Sequence, residues 1–265
     1  MEIQGNLRKM RTELKETVQY KLTLNKNEIE VNDLLGKKIS LEFQQTINCV
    51  KCGRETKKSF AQGFCYPCFT SAPETEECVL RPELCRAHEG VARDMEYAKS
   101  HCLIDQHVYL SITSDIKVGV TRHTQIPTRW IDQGAGAAII LATTPNRHTA
   151  GLIEVALKQH MADKTNWRNM LKCVVKEEYD LLDEKETVAE LLDYEMQQYI
   201  SDNDEVTEIT YPMLEIPQKV TSLNFDKTPS IEGTLTGIKG QYLILDNQYV
   251  LNIRKFGGYL VNVNY

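Results

Sequence analysis

No window of the chain approaches the ~18 consecutive apolar residues that a membrane span requires, and the first ten residues, MEIQGNLRKM, lack the apolar segment of a secretory signal. Both absences lead to the expectation of a cytoplasmic protein with no membrane partner. Glycine (14) and proline (8) are too sparse among 265 residues for a collagen-like or low-complexity chain. Neither an RNA-recognition signature nor a helix-turn-helix is legible, so no element chooses between DNA and RNA. What remains is ordinary globular material, 42% hydrophobic and 26% charged, long enough for one large domain or two to three small ones.

Charge is unevenly spread. Residues 177–205 hold twelve Asp or Glu against the single basic Lys185, so the rest of the chain is mildly basic although the whole carries -6. Within that stretch Leu181, Leu182, Val188, Leu191, Leu192 and Met196 form an apolar stripe. This predicts amphipathic helices with a solvated acidic face, a surface available to a protein partner.

Hydrophobic periodicity divides the chain into five parts. Residues 1–47 form a β segment, with period-two alternation at 18–24 (VQYKLTL) and 38–43 (KISLEF). Residues 48–106 are a Cys/His-rich region. Residues 107–172 read as strand, strand, helix, strand, helix: a hairpin of 108–112 and 116–120, a helix near 128–133, a strand at 137–143 and a helix within 146–160. Residues 173–205 are the acidic helical segment. Residues 206–265 are β again, with strands at 234–245, 249–254 and 259–263. The predicted class is α+β, and the two terminal β segments are expected to pack together as one small barrel or sandwich.

Eight cysteines in a reducing compartment point to metal before disulfides. Cys49-x-x-Cys52 and Cys65-x-x-Cys68 are separated by twelve residues. Such paired turns present four thiolates to one tetrahedral zinc, and Gly53 and Gly63 stand where knuckle turns require positive φ. With the shell closed by protein, this zinc is structural. Cys78, Cys85, His88 and Cys102 suggest a second, Cys3His zinc site, with His101 and His107 as competitors for the fourth place.

The segment VYLSITSDIKVGVTRHTQIPTRW resembles the GIY-YIG nuclease domain. Val108-Tyr109-Leu110 matches the first motif, Lys117-Val118-Gly119 the second, Arg129 the helix arginine and Glu154 the glutamate of the later helix. The chain as a whole resembles a zinc-containing bacterial family. The domain resemblance implies a small antiparallel sheet with helices and assigns catalytic roles to Tyr109, Lys117, Arg129 and Glu154. In that family the tyrosine acts in proton transfer, the carboxylate holds Mg²⁺ or Mn²⁺ and the arginine offsets phosphate charge. Lys117 stands where the family has its second tyrosine, so binding without cleavage is the leading expectation.

Residues 117–172 carry eight basic and three acidic side chains, the sign a phosphate-binding surface requires. Arg122, Lys164, Asn166, Trp167 and Arg168 are the candidate nucleic-acid contacts, with Trp130 and Trp167 placed either to stack on bases or to anchor helices. The expected function is a zinc-stabilised protein that binds DNA or RNA. A metal-dependent endonuclease and a protein-interaction adaptor are the alternatives.

Overall fold

A computed structural model describes residues 1–161 and 165–265. The chain forms two compact units, Met1–Thr70 with Thr210–Tyr265 (unit 1) and Ser71–Ile209 (unit 2). The boundary falls between the two cysteine groups, so each unit carries one.

Unit 1 begins with β1 (Glu2–Asn6), β2 (Arg11–Glu13), β3 (Gln19–Leu24), β4 (Asn27–Glu30) and β5 (Lys38–Ile47); helix α1 (Tyr66–Ser71) then runs across the unit boundary. Unit 2 holds β6 (Gln106–Ile112), β7 (Ile116–Arg122), β8 (Ala137–Thr144) and β9 (Thr207–Glu208). Its helices are α2 (Met95–His101), α3 (Thr128–Gln133), α4 (Arg147–Leu157), α5 (Trp167–Leu171), α6 (Leu181–Glu190) and α7 (Tyr194–Gln197). The chain then returns to unit 1 through β10 (Thr221–Ser222), β11 (Ser230–Lys239), β12 (Tyr242–Leu245), β13 (Tyr249–Asn252) and β14 (Tyr259–Asn264).

The two terminal β segments do share one sheet, of seven strands in the order β1-β14-β5-β11-β12-β13-β10. Its register runs Glu2↔Asn264 at one end and places β5 between β14 and β11. Alternation along β5 sends Ile39, Leu41 and Phe43 inward, as its period-two sequence requires. The barrel expectation is corrected: β1 and β10 are free edges of the sheet order, so it does not close. A second correction concerns residues 234–245, which are two strands. Gly240 turns the chain between β11 and β12 at φ +61°, a conformation glycine adopts without a Cβ penalty. Phe43, Phe225, Phe256 and Tyr259 fill the core beside this sheet, with ring centroids 4.7 to 6.4 Å apart. A smaller sheet, β2-β3-β4, completes the unit's strands.

Unit 2 is built on an antiparallel sheet ordered β7-β6-β8-β9. The strand, strand, helix, strand, helix order expected of residues 107–172 is present as β6, β7, α3, β8, α4. Val108, Leu110, Val118, Ile139 and Leu141 face Ala150, Ile153 and Leu157 of α4 and Leu181 and Val188 of α6. Asn146 starts α4, its side chain accepting from Thr149 N at 2.9 Å. By strand alternation, Tyr109, Ser111, Lys117 and Gly119 project from the other face, where Tyr109 meets Trp130 of α3.

The acidic helices have a narrower apolar stripe than the sequence suggests. Leu181, Val188 and Leu192 are buried, whereas Leu182 and Leu191 are 42% and 45% exposed. Met196 also packs against this core, half-buried. Lys185, the one cation of residues 177–205, is buried, and its Nζ donates to Ser201 O, Asn203 O and Asp204 Oδ1 at 2.6 to 2.9 Å. It fastens the following loop to α6 through charge-assisted bonds.

Candidate functional site

The knuckle of unit 1 begins where β5 ends. Gly53 N donates to Cys49 O and Cys49 N to Arg54 O, at 2.9 and 2.8 Å, closing the first turn with Gly53 at φ +73°. Val50 N donates to Gly63 O at 2.8 Å, which lays the second turn against the first. A Cβ on Gly63 would sit 2.3 Å from Val50 Cγ1, so that approach needs glycine. The ligand atoms of Cys49, Cys52, Cys65 and Cys68 lie within 4.8 Å of one another. Burial opposes ionisation of Cys49, but the N–H groups of Cys52, Cys65 and Lys51 outweigh it and draw the thiol down to about 6. Burial and the neighbouring sulfurs push Cys68 up to about 12. Four thiolates this close repel one another unless a dication sits among them. Soft sulfur donors in two facing turns fit zinc and leave no protein position open for chemistry.

Unit 2 brings a second group together: Cys78, Cys85 and Cys102, all buried, with sulfurs within 4.8 Å. Three thiolates again suit zinc, and the neighbouring sulfurs of Cys102 and Cys78 lower Cys85 to about 3. His88 is a correction to the expected Cys3His set. No ring nitrogen of His88 joins the three sulfurs within 4.8 Å, and its ring, on the 3₁₀ turn Ala87–Glu89, stacks on His148 with centroids 4.4 Å apart. Neither His101 nor His107 brings a ring nitrogen into the group within 4.8 Å of these sulfurs. His101 Nδ1 is engaged by Tyr97 O and Ser100 Oγ, and His107 Nδ1 by Thr143 Oγ1 at 3.0 Å. Among the described residues the protein supplies three ligands to this group.

Sequence reasoning missed the residue that braces these thiols. Arg147 places Nη1 3.6 Å from Cys78 Sγ, donates Nη2 to His101 O at 3.2 Å, and donates its backbone N to Cys102 O at 2.8 Å. A guanidinium here offsets thiolate charge as an outer partner of the metal group. Nothing local in the sequence marks Arg147, which is 45 to 69 positions from the cysteines it serves. His148 adds a contact to Glu83 O at 2.8 Å, and Gly151 lets α4 press on the turn Pro82–Leu84.

The positions matched to the nuclease motifs lie on the α3 side of the sheet and on α4. Tyr109 is wholly buried, its hydroxyl donating to Gln133 Oε1 at 2.9 Å and its ring lying across Gly119, where a Cβ would come 2.6 Å from the phenol oxygen. Burial raises its pKa, and the Arg129 guanidinium and Gln133 work against that rise. Lys117 is 5% exposed and pairs in register with Ser111. Glu154 is 8% exposed and forms an ion pair with Lys158 at 3.1 Å. The structure therefore places Tyr109, Arg129 and Glu154 within electrostatic reach of one another, largely screened from solvent.

Burial raises the Glu154 carboxyl above its ordinary range, against the pull of Lys158. The folded state thus holds this proton more tightly than the unfolded chain does. The resulting stabilisation is complete below the ordinary carboxyl pKa and is lost as pH rises through the folded value. Glu154→Gln should therefore gain stability relative to the parent as pH increases from about 4 to about 7, read as diverging urea midpoints. A constant offset across that range contradicts the assignment.

The remaining candidates divide by role. Arg122 is half-buried, its pKa lowered by burial and by Arg147, with Tyr97 opposing. Asn166 caps α5, its Oδ1 accepting from Arg168 N and Asn169 N, which gives it structural work. Arg168 lies over the Trp167 ring, Cζ 4.3 Å from the centroid, on the surface side. Trp130 is a core residue, 3% exposed. Lys164 lies outside the described residues. No helix of the described chain is long and apolar enough to cross a membrane.

A family model described as "Protein of unknown function (DUF2797)" matches residues 36–261. No curated protein matches the chain, and no solved structure does.

Proposed function

The chain belongs to the DUF2797 family, and we propose that it is a nucleic-acid-binding protein, stabilised by zinc in each unit, whose central sheet is GIY-YIG-like and binds without cleaving. The observation that carries this reading is the state of the matched positions. They sit on a hairpin, the helix after it and the later helix, in the order the resemblance requires, yet Tyr109 is sealed and Lys117 and Glu154 are nearly so. A phenol with no solvent access cannot take up a proton from an attacking water. The Lys158 ammonium, 3.1 Å from Glu154, competes with Mg²⁺ or Mn²⁺ for the one carboxylate offered. Affinity would come from the basic side chains of residues 117–172 that are not buried, Arg122, Arg168 and Lys172 among them, and from the Trp167–Arg168 pair at the surface.

One observation favours the endonuclease reading: Arg129 and Glu154 both bear electrostatically on the Tyr109 phenol. Incubation with branched, single-stranded and duplex DNA and RNA in Mn²⁺ separates the two. Mobility shifts that weaken with salt, with every substrate left intact, are the expected result. Cleavage that disappears in Arg129→Ala and Glu154→Ala establishes the nuclease. Absence of any shift at low salt defeats both and leaves a protein-interaction adaptor, with the acidic face of α6 and α7 as its surface.

A further inference from the structure

A basic concavity of unit 1 adjoins the knuckle and has no part in holding its thiols. It is a cleft of about 600 Å³ with the loop residues Lys57, Lys58 and Ser59 on one wall and Asn252, Arg254 and Lys255 on the other. Four cations thus line it against one carboxylate, Asp226, which already accepts from the Tyr259 hydroxyl at 2.9 Å. The walls are locked together. Arg254 Nε donates to Gln62 Oε1, and a Cβ on Gly257 would stand 2.3 Å from Gln62 O, so the turn Ile253–Phe256 and the knuckle loop meet backbone to backbone.

Two of the four cations lie along aromatic rings. Lys58 Nζ is 5.2 Å from the Phe60 centroid and Lys255 Nζ is 5.3 Å from that of Phe256, so their stems pack while both residues stay exposed. On the Lys57–Lys58 wall the Ser59 hydroxyl is buried and makes no hydrogen bond. Beyond Lys58, Phe60 stacks with Phe69 and meets Tyr66 edge-on, and Tyr66 is 60% exposed.

We propose that this cleft is a phosphate site that takes the phosphate groups of a nucleotide or of a nucleic-acid strand, with the exposed aromatic edge of the knuckle beside it available to a base. Clustered ammonium and guanidinium groups match the charge and oxygen count of phosphates better than a lone carboxylate does, and Arg254 contributes a planar donor fork. The volume is that of a pocket for a nucleotide-sized ligand. The knuckle zinc then has a purpose beyond folding: it fixes the wall that carries Lys57, Lys58 and Ser59. The site lies in unit 1 and stands whether or not the sheet of unit 2 touches nucleic acid.

The test uses the full chain, a fluorescein-labelled ten-nucleotide oligothymidylate read by anisotropy across a salt series, and ATP and inorganic phosphate as competitors. Lys58→Ala/Lys255→Ala is expected to weaken oligonucleotide binding about tenfold and to reduce the salt slope by about two, one for each ammonium taken away from a phosphate. Zinc content and melting temperature should match the parent, which shows that the weaker binding does not come from unfolding. Displacement by ATP at concentrations where inorganic phosphate is ineffective assigns the cleft to nucleotides. Strand binding that ATP does not displace assigns it to the nucleic-acid backbone. The proposal is overturned if the double variant binds within about twofold of the parent, or if neither oligonucleotide nor ATP binds the parent at low salt. An Arg168→Ala variant that loses affinity while the cleft variant keeps it would place binding in unit 2 alone, sinking this inference and leaving the proposed function intact.

Discussion

Serine in place of Cys65 should remove the knuckle's zinc and unfold the end of unit 1 that it holds, while the zinc of unit 2 stays bound. Structural zinc sites of this ligand type contribute on the order of 10 kcal/mol of apparent binding free energy, which becomes folding free energy when no site exists in the unfolded chain. Beyond the contacts that Gln62 and Gly63 make, the knuckle has little buried surface of its own to hold it. Its own helix, α1, has no buried residue, and most of residues 51–58 are exposed. A hydroxyl cannot replace the thiolate, and the remaining three sulfurs would still repel. The reciprocal variant, Cys85→Ser, should empty the group of unit 2 and spare the knuckle. Metal analysis and limited proteolysis of both variants check this. Loss of both ions from either variant would show that the sites are coupled, contrary to their separation into two units.

Gly151→Ala should be strongly destabilising, against the usual helix preference. In an ordinary helix interior alanine is better than glycine by about 1 kcal/mol. Here the added Cβ would stand 2.1 Å from Glu83 N and 2.4 Å from Pro82 C. Those are backbone atoms, and the stretch of chain they belong to leads directly into Cys85, so neither side can yield cheaply. Overpacking of this kind costs about 3 kcal/mol, which outweighs the propensity gain. We expect a lowered urea midpoint and loosened zinc in unit 2, measured as faster metal transfer to a chelator. A variant as stable as the parent would show that α4 and the turn Pro82–Leu84 do not press on each other this closely.

Much of this was legible because it is local. The spacing of Cys49, Cys52, Cys65 and Cys68 identifies the knuckle, and alternation finds β3, β5 and the β6–β7 hairpin, since one buried face imposes period two. The helix expected within 146–160 begins at an Asn that caps it. What the sequence hides is set by distant partners. His88 has a ligand's spacing from Cys85, but its ring stacks on that of His148, which lies sixty residues away. Gln133 and Gly119 serve Tyr109 only through sheet register and the placement of α3. Leu182 and Leu191 have the apolar character of their neighbours, yet the helix meets the core along a narrower stripe. The cleft residues Lys57-Lys58 and Arg254-Lys255 are two adjacent basic pairs, visible as charge but nearly two hundred positions apart until the sheet joins them.

Each unit is expected to depend on a metal of its own. Native mass spectrometry of the full chain, compared with the same sample denatured in acid, weighs what the fold retains. Two zinc ions per chain are predicted, with Cys65→Ser and Cys85→Ser each retaining one. A parent chain that retains no zinc, or a single ion lost in both variants, would contradict this dependence.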